Sequence, residues 1–412
     1  MSYKNRFISF ILLVAVISCS IVFSAGALFE KETAIDKFYN YEQMLIGISY
    51  RGDTVNYPEN SLEAVKSAFK KGADFVSVNI EKTSDGVFYL CENESLGNVC
   101  DAPYDELSQV SSAEIKKYNL FDIYGRKTDY KLISLSDFLD ETDTTEGIIL
   151  DVSYEYLDGV YTVLKDASAL GRVIIRVKES ALRLTEWAAD KADKPNLIAV
   201  YGGNIIFSTV NYINTFTKAE MPAVQYESKN YFNVAFGDFF VNRYLNSVNV
   251  RAVAATYSPD LCGQRGDSSD GWNELIKKGY SVIETNNIES FVEYRNETER
   301  LKKEIADLVY KAFCVDPSKY SEVSLSNLND AKLYGETLTS TPVFSLDAAQ
   351  QAYSKLIYAL EDMKISSGEV DTRGALNVTP GKIIASLLVG AALFAWQVYV
   401  YKMRRGKKEN KC

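Results

Sequence analysis

The side chains able to do chemistry in this chain stand in short runs: Tyr50-Arg51-Gly52, Tyr57-Pro58-Glu59-Asn60, Ser77-Val78-Asn79, Glu92-Asn93-Glu94 and Leu150-Asp151. No histidine occurs anywhere, so any mechanism built on a pair of histidines as acid and base is excluded. Two readings of Arg51 stand. It grips a phosphate through charge-assisted hydrogen bonds, or it forms a buried structural ion pair with Glu59 or Asp151. Glu92 is a general base if burial raises its pKa, and otherwise a replacement under no catalytic demand. Tyr50 is a poor base at neutral pH, because a phenol titrates near pH ~10. Glu59 is a candidate binding residue, although Glu59-Asn60 also reads as the start of a helix. There is no CxxC pair and no Cys/His cluster, which argues against a zinc site.

These runs have to be positioned by regular elements, and the pattern from 44 to about 301 supplies them. Short apolar stretches alternate with amphipathic ones, the rhythm of a parallel sheet whose strands are joined by helices. Strands are predicted at 44–49, 75–80, 147–152, 173–177, 197–201, 223–226, 248–255 and 281–284. A turn at Ser84-Asp85-Gly86 and an extended stretch at 87–91 lie outside that count. Eight strands in about 250 residues predict an α/β fold, the (β/α)8 barrel, over 40–300. A helix is predicted over 61–71, with Asn60 as N-cap and Glu63 as its capping-box partner. Beyond 301 the text becomes polar and helical at 300–315, 324–336 and 345–363, which predicts a helical stalk over 301–365 followed by a polar linker at 366–382.

The chain has 412 residues, 47% of them hydrophobic, enough for a barrel-sized core and an accessory domain. Its formal charge of −10 is uneven: residues 1–27 carry +2 and residues 382–412 carry +6, leaving −18 between them. So acidic a body repels nucleic acid. Residues 7–23 are almost wholly apolar and precede Ala25-Gly26-Ala27, so 1–27 reads as a signal peptide or a signal anchor. A second apolar run at 383–401 reads as a transmembrane helix, and the basic tail 402–412 places that end in the cytoplasm and the body outside the plasma membrane. In such a compartment Cys91 and Cys100 are candidates for a disulfide across a short loop.

The runs also follow one another in a meaningful order. Ser49-Tyr50-Arg51-Gly52, Pro58-Glu59-Asn60-Ser61, the stretch from Gly72-Ala73-Asp74 to Asn79, Thr83-Ser84-Asp85-Gly86, Glu92-Asn93-Glu94-Ser95-Leu96, Ile133-Ser134-Leu135 and Gly279-Tyr280-Ser281-Val282-Ile283-Glu284-Thr285-Asn286 appear in sequence. This series resembles the glycerophosphodiester phosphodiesterase family, whose matching segments read H-R-G, P-E-N-T, G-A-D-x-x-E-x-D, T-x-D-G, H-D-E-T-L, I-P-T-L and G-x-D-x-I-x-T-D. The resemblance covers about 44–300. It implies a barrel in which two histidines and a carboxylate-held calcium or magnesium ion act on a phosphodiester. Here Tyr50 and Glu92 stand where the resemblance places the histidines. Ser77 and Asn79 stand for the E-x-D metal ligands, and Asp151 is the carboxylate that survives. Asn286 replaces a late aspartate. With so few anionic oxygens no cofactor is expected beyond weak calcium or magnesium.

The expected protein is therefore a membrane-anchored, extracytoplasmic barrel of this type. It is catalytically inactive and serves as a binding or scaffold module, with a phosphate- or glycerol-containing ligand at Arg51. The alternative is a divergent phosphoric diester hydrolase that uses Glu92 and Asp151. The sequence names no protein partner.

Overall fold

The computed structural model describes residues 34–40, 45–92, 95–179, 181–202, 214, 223–227, 245, 248–258 and 266–363. The strands are β1 (Ile46–Tyr50), β2 (Phe75–Lys82), β3 (Phe88–Leu90), β4 (Gly147–Asp151), β5 (Val173–Val177), β6 (Asn196–Tyr201), β7 (Ala223–Tyr226), β8 (Arg251–Ala255) and β9 (Val282–Thr285). All but β3 pair in parallel, in the order β1-β2-β4-β5-β6-β7-β8-β9. β9 returns to β1, with Gly47 opposite Ile283, so the sheet closes into the expected eight-stranded barrel. β3 folds back antiparallel on the far end of β2, with Leu90 opposite Ile80.

Closure buries both faces of each strand, which explains why the strands read as nearly unbroken runs of Val, Ile and Ala. At the end where the strands begin, Ile46, Ile48, Phe75, Ile149, Ile174, Ile198, Ala223, Val253 and Val282 form one apolar layer. The short helix Ala34–Tyr39 completes it by inserting Phe38, whose ring meets Phe75 edge-on at 5.2 Å. Arg251 of β8 donates to the carbonyls of Phe38 and Asn40, satisfying the open end of that helix. One end of the barrel is thus a sealed core. The other end is left for side chains that need not be apolar.

Several expectations change in detail. The helix after β1 is Leu62–Lys70, and its N-cap is Ser61, whose Oγ accepts from Ala64 N. Asn60 cannot cap, because it sits at φ 56, outside the extended region that an N-cap adopts. Cys91 and Cys100 are free thiols buried in one apolar cluster with Tyr89, Leu96, Leu107 and Leu120, so the expected disulfide is not formed. β8 begins at Arg251 rather than at 248, because Val250 N instead bonds Leu245 O.

The chain divides into two compact units, one ending at Val292 and the next beginning at Glu293. In the second unit, residues of the helix Ile288–Phe313 accompany the helices Glu322–Ser340 and Leu346–Glu361. Ala349, Ala352, Leu356 and Leu360 form the buried stripe of the last helix, at the spacing of one helical face. Gly335 allows close approach there, since a Cβ on it would lie 2.8 Å from Val309 Cγ2. The apolar runs 7–23 and 383–401 lie outside the described residues. Among the described residues no helix is long and apolar enough to cross a membrane.

Candidate functional site

At the C-terminal ends of the strands, Tyr50, Asn79, Glu92, Asp151, Arg176, Gln225 and Tyr257 line one cavity of about 410 Å³. Functional groups collect at this end of such barrels, because the loops there are free to vary over a fixed scaffold. Five of these seven come from strands, and the charged groups among them are paired, Glu92 with Arg51 and Asp151 with Arg176.

Arg51 stands on a turn that the sequence makes with difficulty. It adopts φ 58 and Gly52 follows at φ 87, two consecutive left-handed residues. Backbone bonds fix the turn: Arg51 N donates to Ser77 O at 2.8 Å, and Asn60 N donates to Arg51 O at 3.1 Å. The guanidinium then reaches Glu59 at 2.9 Å and pairs with Glu92 on its other nitrogen. It also lies 4.4 Å from the centroid of the Tyr50 ring. Burial would lower its pKa, but Glu59, Tyr50 and Glu92 together raise it. Arg51 Nε is buried and has no hydrogen-bond partner. Both carboxylates on Arg51 come from the predicted site, and Asp151 is not one of them.

The Tyr50 ring stacks on Tyr257, with centroids 3.5 Å apart and planes 4° from parallel. Burial pushes both phenols well above their ordinary value, and the nearby charges of Glu284 and Asp151 push them further. Neither phenol is available as a base near neutral pH.

Asp151 belongs instead to a network centred on Arg176, a residue that sequence reasoning passed over. Arg176 Nε donates to Asp151 Oδ1 at 2.5 Å and Nη2 to Asp151 Oδ2 at 2.6 Å. Nη1 and Nη2 donate to the two oxygens of Glu284 at 2.7 and 2.8 Å. Nη1 also donates to Gln225 Oε1 at 2.7 Å. Ser77 Oγ donates to Glu284 Oε1 at 2.6 Å. Asn79, although it lines the same cavity, bonds Asn60 instead: its Oδ1 accepts from Asn60 Nδ2 at 3.4 Å and its N donates to Asn60 Oδ1. Arg176 is 2% exposed and Glu284 is fully buried, and burial raises the Glu284 pKa against the pull of Arg176. The signal was present in the sequence. An arginine in Val-Ile-Ile-Arg-Val and a glutamate in Val-Ile-Glu-Thr are charges inside strands buried on both faces, and a buried charge requires a partner.

The donors do not fit a resident divalent metal. Both oxygens of Asp151 and both of Glu284 already accept from one guanidinium, and Ser77 and Asn79 add only neutral oxygens. Among the described residues no group of three or more acidic or cysteine side chains is placed to hold a metal.

Residues 51–192 match the glycerophosphoryl diester phosphodiesterase family. The glycerophosphodiester phosphodiesterase of Caldanaerobacter subterraneus subsp. tengcongensis is 28% identical over 138 residues, 31% of this chain and 56% of that protein. Glycerophosphodiester phosphodiesterase 1 of Rattus norvegicus is 34% identical over 73 residues, 16% of this chain and 22% of that one. The chain therefore spans about half the length, or less, of these relatives. A crystal structure of a glycerophosphoryl diester phosphodiesterase from Parabacteroides distasonis superposes with a TM-score of 0.52 at 16% identity, over 63% of this chain and 90% of that one. The stretch 51–192 is thus similar to the glycerophosphodiester phosphodiesterase family, and the chain shares the barrel fold of a solved member.

Tyr50 and Glu92, which the sequence resemblance sets at the positions of the two histidines, do line one cavity. The positions matched to metal ligands split: Asp151 and Ser77 join the Arg176 network, while Asn79 joins Asn60. Asp85, on the T-x-D-G turn, accepts from Thr83 Oγ1, Ser112 N and Ser112 Oγ, and holds that turn in shape.

Proposed function

We propose that this protein is a metal-independent binding module on a phosphodiesterase barrel, without hydrolytic activity, tethered outside the plasma membrane by the run 383–401. One observation carries the reading. Each charged group at the mouth that would handle a phosphodiester is already held by another side chain, Glu92 by Arg51 and Asp151 by Arg176. The phenol at Tyr50 is raised by burial and takes no proton from water at neutral pH. The ligand is a phosphate- or glycerol-containing molecule that meets the Arg51 guanidinium. Such a phosphate competes with Glu59 and Glu92 for the same guanidinium, so binding is weak. No cofactor takes part.

The test is phosphorus NMR on the purified full chain in detergent with glycerophosphoethanolamine, run with EDTA and then with calcium, magnesium or manganese. The diester resonance is expected to persist and to broaden, and Arg51→Ala to remove the broadening. A phosphomonoester resonance that grows with time overturns the proposal.

A second reading has an observation of its own. The Glu92 side chain is only 20% exposed and faces Arg51 across the mouth. That arrangement favours a divergent hydrolase in which Glu92 is the acid/base, Arg51 the phosphate clamp and Asp151 an electrostatic stabiliser. Turnover that persists in EDTA and disappears in Glu92→Gln supports this reading over the first.

A further inference from the structure

The geometry points to Arg176 as a built-in cation that fills the place of a divalent metal at the centre of the barrel mouth and thereby keeps metals out. This deepens the metal-free reading above and rests on it. An arginine carries five N–H donors in a fixed planar fork. In Arg176 all five are used, on the two oxygens of Asp151, the two of Glu284 and the amide oxygen of Gln225, every contact at 2.8 Å or less. These five oxygens come from β4, β7 and β9, and β2 adds Ser77 behind Glu284. The arrangement is an oxygen shell converging on one positive centre from several strands. Hard cations ask for such a shell, six to eight oxygens for calcium including carboxylates from separate elements.

A surface ion pair would not have this meaning, since two exposed side chains meet and part at little cost. Here the guanidinium is 2% exposed, and its stem arises from a β5 residue whose strand neighbours are fully packed. It cannot swing out to admit an ion without leaving the buried Glu284 and the partly exposed Asp151 without their guanidinium. Among the described residues Asp151 and Glu284 are the only carboxylates on Arg176, and Gln225 and, behind Glu284, Ser77 add neutral oxygens. A divalent ion entering beside Arg176 would face its full positive charge at contact distance. Metal exclusion is therefore a property of the folded site itself, independent of which metals surround it.

The inference separates from the hydrolysis question because its readout is binding. Tyrosine-sensitised terbium luminescence would be recorded on the full chain in detergent, with Tyr50 and Tyr257 as donors at the mouth. Thermal unfolding would be followed in parallel in EDTA and in excess calcium. The wild type is expected to give no sensitised emission that Asp151→Asn removes, and a Tm unchanged by calcium. Arg176→Ser vacates the centre and leaves its five oxygens facing one another. This variant is expected to gain terbium emission and a calcium-dependent rise in Tm of about 5 °C or more at a hundredfold excess over Kd.

Asp151-dependent metal binding by the wild type overturns the proposal. So does a folded Arg176→Ser chain that ignores metal. If Arg176→Ser does not fold in EDTA, refolding it in calcium supports the proposal, and failure to refold in calcium overturns it. Metal-free turnover with no metal binding would sink the proposed function and leave this inference standing.

Discussion

At the scale of single residues, the mouth of this barrel is governed by which charge meets which. Arg51 and Arg176 each hold two carboxylates, so four acids and two bases settle among themselves. Removing one member of a buried network leaves the others uncompensated, at a cost of about 3–5 kcal/mol. Arg176→Met is accordingly expected to destabilise the barrel by about that much in urea, and Arg176→Met/Glu284→Gln to recover part of the loss. A double variant no more stable than the single one would contradict the pairing.

Asp85 offers a pH prediction. Hydrogen bonds from Thr83 and Ser112 lower its carboxyl from 3.8 to about 2. A depressed folded pKa means stability that is fully present above the unfolded value and is lost as pH falls through the folded one. The stability difference between wild type and Asp85→Asn should thus be constant above pH ~4 and vanish toward pH ~2. A difference that instead grows on acidification would contradict it.

What the sequence made visible at this scale was the list of changed residues at 50, 77, 79, 92 and 151. Their new partners were hidden. Arg176 lies 25 residues from Asp151 and 108 from Glu284 in the chain, and only barrel closure brings the three together.

At the scale of elements, the strands were readable because a parallel barrel buries both faces, and runs such as 173–177 and 223–226 have no competing interpretation. Ends were harder. Asn60 has the side chain of an N-cap, but Ser61 takes that role because Asn60 is turned left-handed to bond Asn79. The turn that carries Arg51 yields a sharp prediction. Gly52 sits at φ 87, and a Cβ there would lie 2.6 Å from the backbone carbon of Ala64. Gly52→Ala should cost about 2 kcal/mol or more by chemical denaturation, since left-handed backbone alone costs an alanine about 1–2 kcal/mol. A loss under about 0.5 kcal/mol, the range of an ordinary surface change, would show that the turn relaxes freely. The cysteines carry a related lesson. The spacing of Cys91 and Cys100 permits a bridge, but both thiols are used as buried apolar groups, and burial pushes the Cys91 thiol well above its ordinary value.

At the scale of the whole molecule, the chain has the barrel architecture that the resemblance implies. The barrel closes with the expected eight parallel strands, one end sealed by Phe38 and its apolar layer, the other lined by polar groups in mutual contact. The second unit begins at Glu293 within one long helix, somewhat before the boundary at 301 that the change in composition implied, because a helix running from 288 to 313 has no compositional break where the two units meet. The acidic body and basic ends remain properties of the sequence, and the proposed tether rests on them.

Arg176 is proposed to stand where the resemblance implies a metal, between Asp151 and Glu284. Anomalous diffraction from a crystal of this chain soaked in terbium tests it most directly. The account predicts no anomalous peak between Asp151 and Glu284, with the Arg176 guanidinium in density against both. A terbium peak bridging the two carboxylates, with Arg176 displaced, would contradict it.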